Sequence, residues 1–151
     1  MGQDDRYNPW AHLATQKDIT FGVTRLPAGL GWWIPSERAI VLDDRLTRVG
    51  RRVVLAHELA HVDLGHAEMA WFGVKTDDLG RLLESQADRL AARRLIQVND
   101  LADAIAASED TWTVAEELDV DVDTLWIRLR HLNPRERAVL REARRRAGGV
   151  C

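Results

Sequence analysis

A chain of 151 residues, 46% hydrophobic and 30% charged, is long enough for a globular domain with a core of its own. A formal net charge of −3 excludes the global basic field that would by itself argue for nucleic acid. A single cysteine, the terminal Cys151, excludes a disulfide framework and a thiolate metal cluster.

Residues 1 to 18 are polar and read as irregular, with Pro9 and Trp10 expected to anchor them on the body. The opening "MGQDDRYNPW" lacks the apolar run of a signal peptide, and no stretch has the length and apolarity of a membrane span. A cytoplasmic location without membrane association is the expectation. From Ile19, "ITFGVTRL" alternates in strand fashion, and after the punctuation of "PAGLG" the runs "WWIP" and "AIVLD" read as two more short strands. Trp32 and Trp33 are adjacent, so in a strand they face opposite sides.

At Leu46 the period changes. "LTRVGRRVVLAHELAHVDLGH" predicts one helix with Gly65 as its stop signal, and "TDDLGRLLESQADRLAARRLIQV" a second, capped by Thr76 or Asp77. Beyond Asn99 the text is helical in short pieces: "DLADAIAAS", "TVAEELDV", "VDTLWIRLRHL" and "PRERAVLREARRRA". The fold class read from this is α+β, with a short sheet and two long helices in residues 1–98 and a helical region in residues 99–151.

"HELAH" carries the chemistry. His57 and His61 stand four residues apart, on one helix face, so both imidazoles can converge on one ion. Glu58 is one residue round the helix, displaced from that ion but near enough to act as a base beside it. A catalytic zinc site needs a third protein ligand. The second helix offers Glu84, with Asp88 one turn on to accept the free ring N–H of a ligand histidine. His66 comes nine positions after His57, not the ten of a metzincin, and is expected at the helix C-terminus. Cys151 is poorly placed as a ligand and Asp63 points away from the histidine face, which leaves Glu84 best placed. Tyr7, His12, His66 and nearby arginines are the candidate donors to a developing oxyanion.

"ERAIVLDDRLTRVGRRVVLAHELAHVDLGH" followed by "ESQADRLAARRLI" resembles the ImmA/IrrE family of metallo-endopeptidases, and "YNPWAHLATQKDITF" is similar to the start of its small actinobacterial or actinophage members. The resemblance covers roughly residues 7 to 98, and Glu84, Ala87 and Ala91 match the family's Glu-x-x-Ala-x-x-x-Ala pattern. It implies a minimal gluzincin-like zincin core, zinc held by His57, His61 and Glu84, and Glu58 as catalytic base. It also implies a protein substrate, a helix-turn-helix repressor whose cleavage frees a mobile element or stress regulon.

"TVAEELDVDVDTLWIRLRHL" itself has helix-turn-helix spacing, with Ala115, Leu118, Val120, Val122, Leu125 and Leu129 as packing positions. The rival reading is therefore a DNA-binding regulator, or a partner-binding protein, whose zinc is not proteolytic. Asp121 and Asp123 lead the would-be recognition helix and would repel phosphate, so direct DNA binding is not expected.

Overall fold

The computed structural model describes residues 5–66 and 77–148. Asn8 accepts hydrogen bonds from the backbone N–H groups of Trp10 and Ala11 (2.9 and 3.3 Å), and Pro9 takes the first helical position. Pro9–Thr15 is therefore a short helix, α1. This corrects the irregular reading: a cap followed by proline starts a helix even where a run is too short to show periodicity. Pro9 is buried, whereas Trp10 is 40% exposed and meets Phe21 edge-on.

Three strands follow, β1 (Thr20–Thr24), β2 (Gly31–Ile34) and β3 (Ala39–Asp43). Their order is β1-β3-β2, with β3 parallel to β1 and antiparallel to β2, so β2 is an edge. "PSER" becomes a 3-10 turn, Pro35–Glu37, which Arg38 closes in a left-handed conformation. Ile40 and Leu42 on the central strand are wholly buried against Leu55 and Leu59 of the next helix. Trp33 is partly buried in this layer and Trp32 is exposed, as opposite strand faces require.

Asp43 ends β3 fully buried. It accepts from the backbone N–H groups of Leu26 and Arg45 (2.9 Å each) and from the Arg45 guanidinium (2.7 Å to each oxygen). The Arg45 hydrogen bonds hold its carboxyl well below the ordinary range, against the upward push of burial. A depressed folded value means that this stabilisation is complete above the unfolded value of about 3.9 and is lost as pH falls below it. Asp43→Asn is expected to melt below wild type at neutral pH, with the gap narrowing on acidification. Melting curves between neutral and acidic pH check this, and a gap constant with pH would show that Asp43 acts without its charge.

Helix α2 (Arg48–Asp63) is capped by Thr47, whose hydroxyl accepts from Gly50 N–H (3.0 Å), and ends at Gly65 in the left-handed region (φ 67°) that glycine tolerates. Helix α3 (Asp77–Leu95) opens at Asp77; the alternative cap Thr76 lies outside the described residues. Ala56 and Ala60 of α2 share a buried cluster with Ala87 and Ala91 of α3. Alanine at both positions of both helices lets the backbones approach closely. That approach positions everything in the site.

The remaining chain forms α4 (Val98–Ala107), α5 (Thr111–Glu117), α6 (Val122–Arg130) and α7 (Pro134–Gly148). Ala115, Leu118, Val120 and Leu125 are buried, with Val122 and Leu129 partly so, and they belong to the same cluster as the α2 and α3 alanines. Buried Arg128 donates to the Ile96 carbonyl (2.9 Å) and pairs with Glu136 (2.7 Å). Glu136 and Asn133 cap α7 reciprocally, each accepting from the other's backbone N–H (3.0 Å). The helical region thus shares one core with α2 and α3. The described residues make an α+β fold of seven helices and one mixed sheet. No helix among them is long and apolar enough to cross a membrane.

Candidate functional site

The i and i+4 spacing on α2 stacks His57 and His61 one turn apart, and the close crossing of α3 lays Glu84 against both. The Nε2 atoms of the two histidines are 3.0 Å apart. Glu84 sets one carboxylate oxygen 3.1 Å from His57 Nε2 and the other 3.1 Å from His61 Nε2. A tetrahedral zinc with ligand bonds of about 2.0–2.1 Å requires ligand atoms about 3.3 Å apart. His57 Nε2, His61 Nε2 and a Glu84 carboxylate oxygen, all within 4.8 Å of one another, form a triangle whose donor chemistry suits such an ion.

Behind this triangle each imidazole is held from its other nitrogen. His57 Nδ1 lies 2.9 Å from Asp88 Oδ1, as the i+4 relation of Asp88 to Glu84 anticipates. Burial lowers the His57 pKa, but the hydrogen bonds to Asp88 and Glu84 and the field of Glu58 outweigh it and raise the ring to about 10. In return, the bonds from His57 and then His61 hold Glu84 far below the ordinary carboxylate range.

Glu58 faces the same cleft from beneath the sheet edge. It is buried, burial raises its pKa, and it accepts a hydrogen bond from the backbone N–H of Trp33 on β2. That contact depends on Gly31, which the sequence offers only as part of a turn-like run. A β-carbon there would sit 2.5 Å from Val54 Cγ1 and 2.9 Å from Glu58 Oε1. Gly31→Ala is expected to lower stability by about 1–3 kcal/mol, as overpacking does. Denaturant unfolding measures it, and a variant as stable as wild type would mean that β2 yields freely at this point.

The cleft has a volume of about 760 Å³ and runs from β2, across the histidine and glutamate helices, to the start of α6. Asp121, Asp123, Thr124 and Ile127 form its far wall. Sequence spacing does not reveal this wall, because it depends on how α6 packs on α3. Five carboxylates line the cleft (Glu58, Glu84, Asp88, Asp121 and Asp123), with no lysine or arginine among the described lining residues.

A model of the peptidase M78 family, described as the IrrE N-terminal-like domain, matches residues 24–130. The chain belongs to this family. The matched segment of the IrrE-like domain runs from the last residue of β1 to the last residue of α6, so it includes α2, α3 and the cleft's far wall. The resemblance carried by "HELAH" and "ESQADRLA" is thereby established, and with it membership of a peptidase family. Among curated proteins no match is found.

Within this IrrE-like domain, the structure brings His57, Glu58, His61, Glu84, Asp88 and His66 to one cleft and leaves Tyr7 and His12 out of it. The Tyr7 hydroxyl is bonded to His12 Nδ1 (2.7 Å), and His12 Nε2 lies 3.5 Å from Asp63. Asp63 in turn pairs with Arg94 (2.7 Å), a polar knot joining α1, α2 and α3 away from the histidine face. His66 lines the cleft but has both ring nitrogens engaged, one by His61 and one by Gln86. Neither Tyr7 nor His66 therefore presents a free donor to a substrate carbonyl in this arrangement.

Proposed function

We propose that the protein is a zinc-dependent endopeptidase that cleaves a DNA-binding repressor. The observation that carries this reading is the convergence of His57 Nε2, His61 Nε2 and the Glu84 carboxylate to within 4.8 Å of one another, with buried Glu58 in the same cleft. His57, His61 and Glu84 would hold the ion, which when bound supplies a Lewis acid for a peptide carbonyl and for a hydrolytic water. Glu58 takes one proton from that water as the C–O bond forms. The same carboxyl then returns the proton to the departing amine as the C–N bond breaks. Its burial and the Trp33 N–H keep it in place and out of bulk water.

Substrate binding follows from the sheet. β2 pairs with β3 on one side, and its residues Gly31, Trp32 and Trp33 line the cleft on the other. An extended peptide laid there gains main-chain hydrogen bonds from an edge strand. A cleft with five carboxylates and no basic side chain among its described lining residues favours a basic protein segment, which is what a DNA-binding repressor offers. The rival reading, direct DNA recognition through α6, is weakened by Asp121, Asp123 and Ile127, which turn the start of that helix into the peptidase cleft.

The test is incubation of the zinc-loaded protein with purified helix-turn-helix repressors from the same genome, followed by intact-mass spectrometry. Two fragments whose masses sum to one repressor plus one water, absent with a chelator, are expected. Repressors all left uncut alongside a cut unfolded reference protein would overturn the substrate, and no cutting of either would overturn the peptidase.

A further inference from the structure

We infer that His66, held by Gln86, is the positioning residue that makes His61 a metal ligand; the inference rests on His61 being a ligand at all. The left-handed turn at Gly65 (φ 67°) brings the chain back on itself, so that buried His66 stacks edge-on against His61 with ring centroids 5.0 Å apart. His66 Nδ1 lies 2.8 Å from His61 Nδ1, and His66 Nε2 lies 3.1 Å from Gln86 Oε1.

The direction of these bonds follows from donor and acceptor chemistry. A carboxamide oxygen only accepts, so His66 carries its hydrogen on Nε2. A neutral imidazole has one N–H, so His66 Nδ1 is bare and accepts from His61. When an ion takes the place of the His61–Glu84 hydrogen bond, His61 then carries its hydrogen on Nδ1 and turns the Nε2 lone pair to the ion. Nε2 is the atom that faces His57 Nε2 at 3.0 Å and Glu84 at 3.1 Å. The reversed chain, with the Gln86 amide donating, would end with a hydrogen on His61 Nε2 and close the site. One glutamine oxygen, two bonds away, thus sets which nitrogen of His61 can bind an ion.

The two ligand histidines are therefore held at Nδ1 by unlike partners. His57 Nδ1 has the Asp88 carboxylate (2.9 Å), and His61 Nδ1 has a neutral imidazole. A site that already gathers Glu58, Glu84 and Asp88 gains orientation from His66 without a further negative charge.

The experiment compares zinc dissociation constants, by chelator competition, for wild type, His66→Phe, His66→Asn and Gln86→Leu. It also follows the ring nitrogens of His61 by NMR in the zinc-loaded proteins. His66→Phe keeps a ring but loses the acceptor and should weaken zinc about 10–100-fold, the usual effect of removing a partner behind a metal ligand. His66→Asn places a carbonyl oxygen where Nδ1 stood and should restore most of that affinity. In wild type the His61 Nδ1 proton should be strongly hydrogen-bonded, and in His66→Phe that signature should disappear. Gln86 is exposed, so Gln86→Leu should fold normally and still bind zinc several-fold more weakly. Equal affinity in wild type and Gln86→Leu, or His66→Asn as weak as His66→Phe, would overturn the inference. Undiminished zinc in His61→Ala would instead remove the site reading beneath it.

Discussion

Glu58→Gln is expected to keep its zinc and its fold while losing peptide-bond cleavage by at least about 10²–10⁴-fold, the usual contribution of a positioned general base. The amide has the shape of the carboxylate, so the packing beneath β2 and the bond from Trp33 N–H survive. What the amide lacks is a site for the proton of the attacking water. Burial raises the Glu58 pKa, which makes the native group a better base than a solvated glutamate. The substitution also removes a buried charge, so the melting temperature should hold or rise. Zinc content, thermal melting and the cleavage rate of the wild-type substrate are the three readouts. A variant that cuts at the wild-type rate would remove Glu58 from the mechanism, and one that loses zinc would make it a ligand.

His61→Ala is expected to empty the site. Structural zinc bound by four ligands is worth about 10–16 kcal/mol, so losing one of three protein ligands should weaken binding by roughly 10²–10³-fold or more. The loss reaches stability as well, because a ligand that binds only the folded chain raises the melting temperature by mass action. Added zinc should therefore raise the melting temperature of the wild type and leave that of His61→Ala nearly unmoved. Equal zinc content in the two proteins after dialysis would place the ion elsewhere.

The pair of long helices, and which of their side chains share a face, were readable because each rests on spacing within one helix. His57 with His61, and Glu84 with Asp88, are i and i+4 neighbours whatever the rest of the chain does. The three strands were readable from alternation and punctuation, and the helix-turn-helix spacing named Ala115, Leu118, Val120 and Leu125, which are buried, with Val122 and Leu129, which are partly so. What escaped depends on tertiary contacts. Gly31 matters because β2 passes within a β-carbon's reach of Glu58. His66 was expected at a helix end or before a substrate carbonyl. The turn at Gly65 instead carries it back against the His61 ring, and Gln86 reaches it from the other helix. The α1 helix was missed because its signal, Asn8 before Pro9, is a cap without periodicity.

Anomalous diffraction at the zinc absorption edge, from crystals of the Glu58→Gln protein grown with zinc, tests the site most directly. One strong peak within bonding distance of His57 Nε2, His61 Nε2 and a Glu84 carboxylate oxygen is the expected result. A peak coordinated by other residues, or none in protein that retains its zinc in solution, would contradict it.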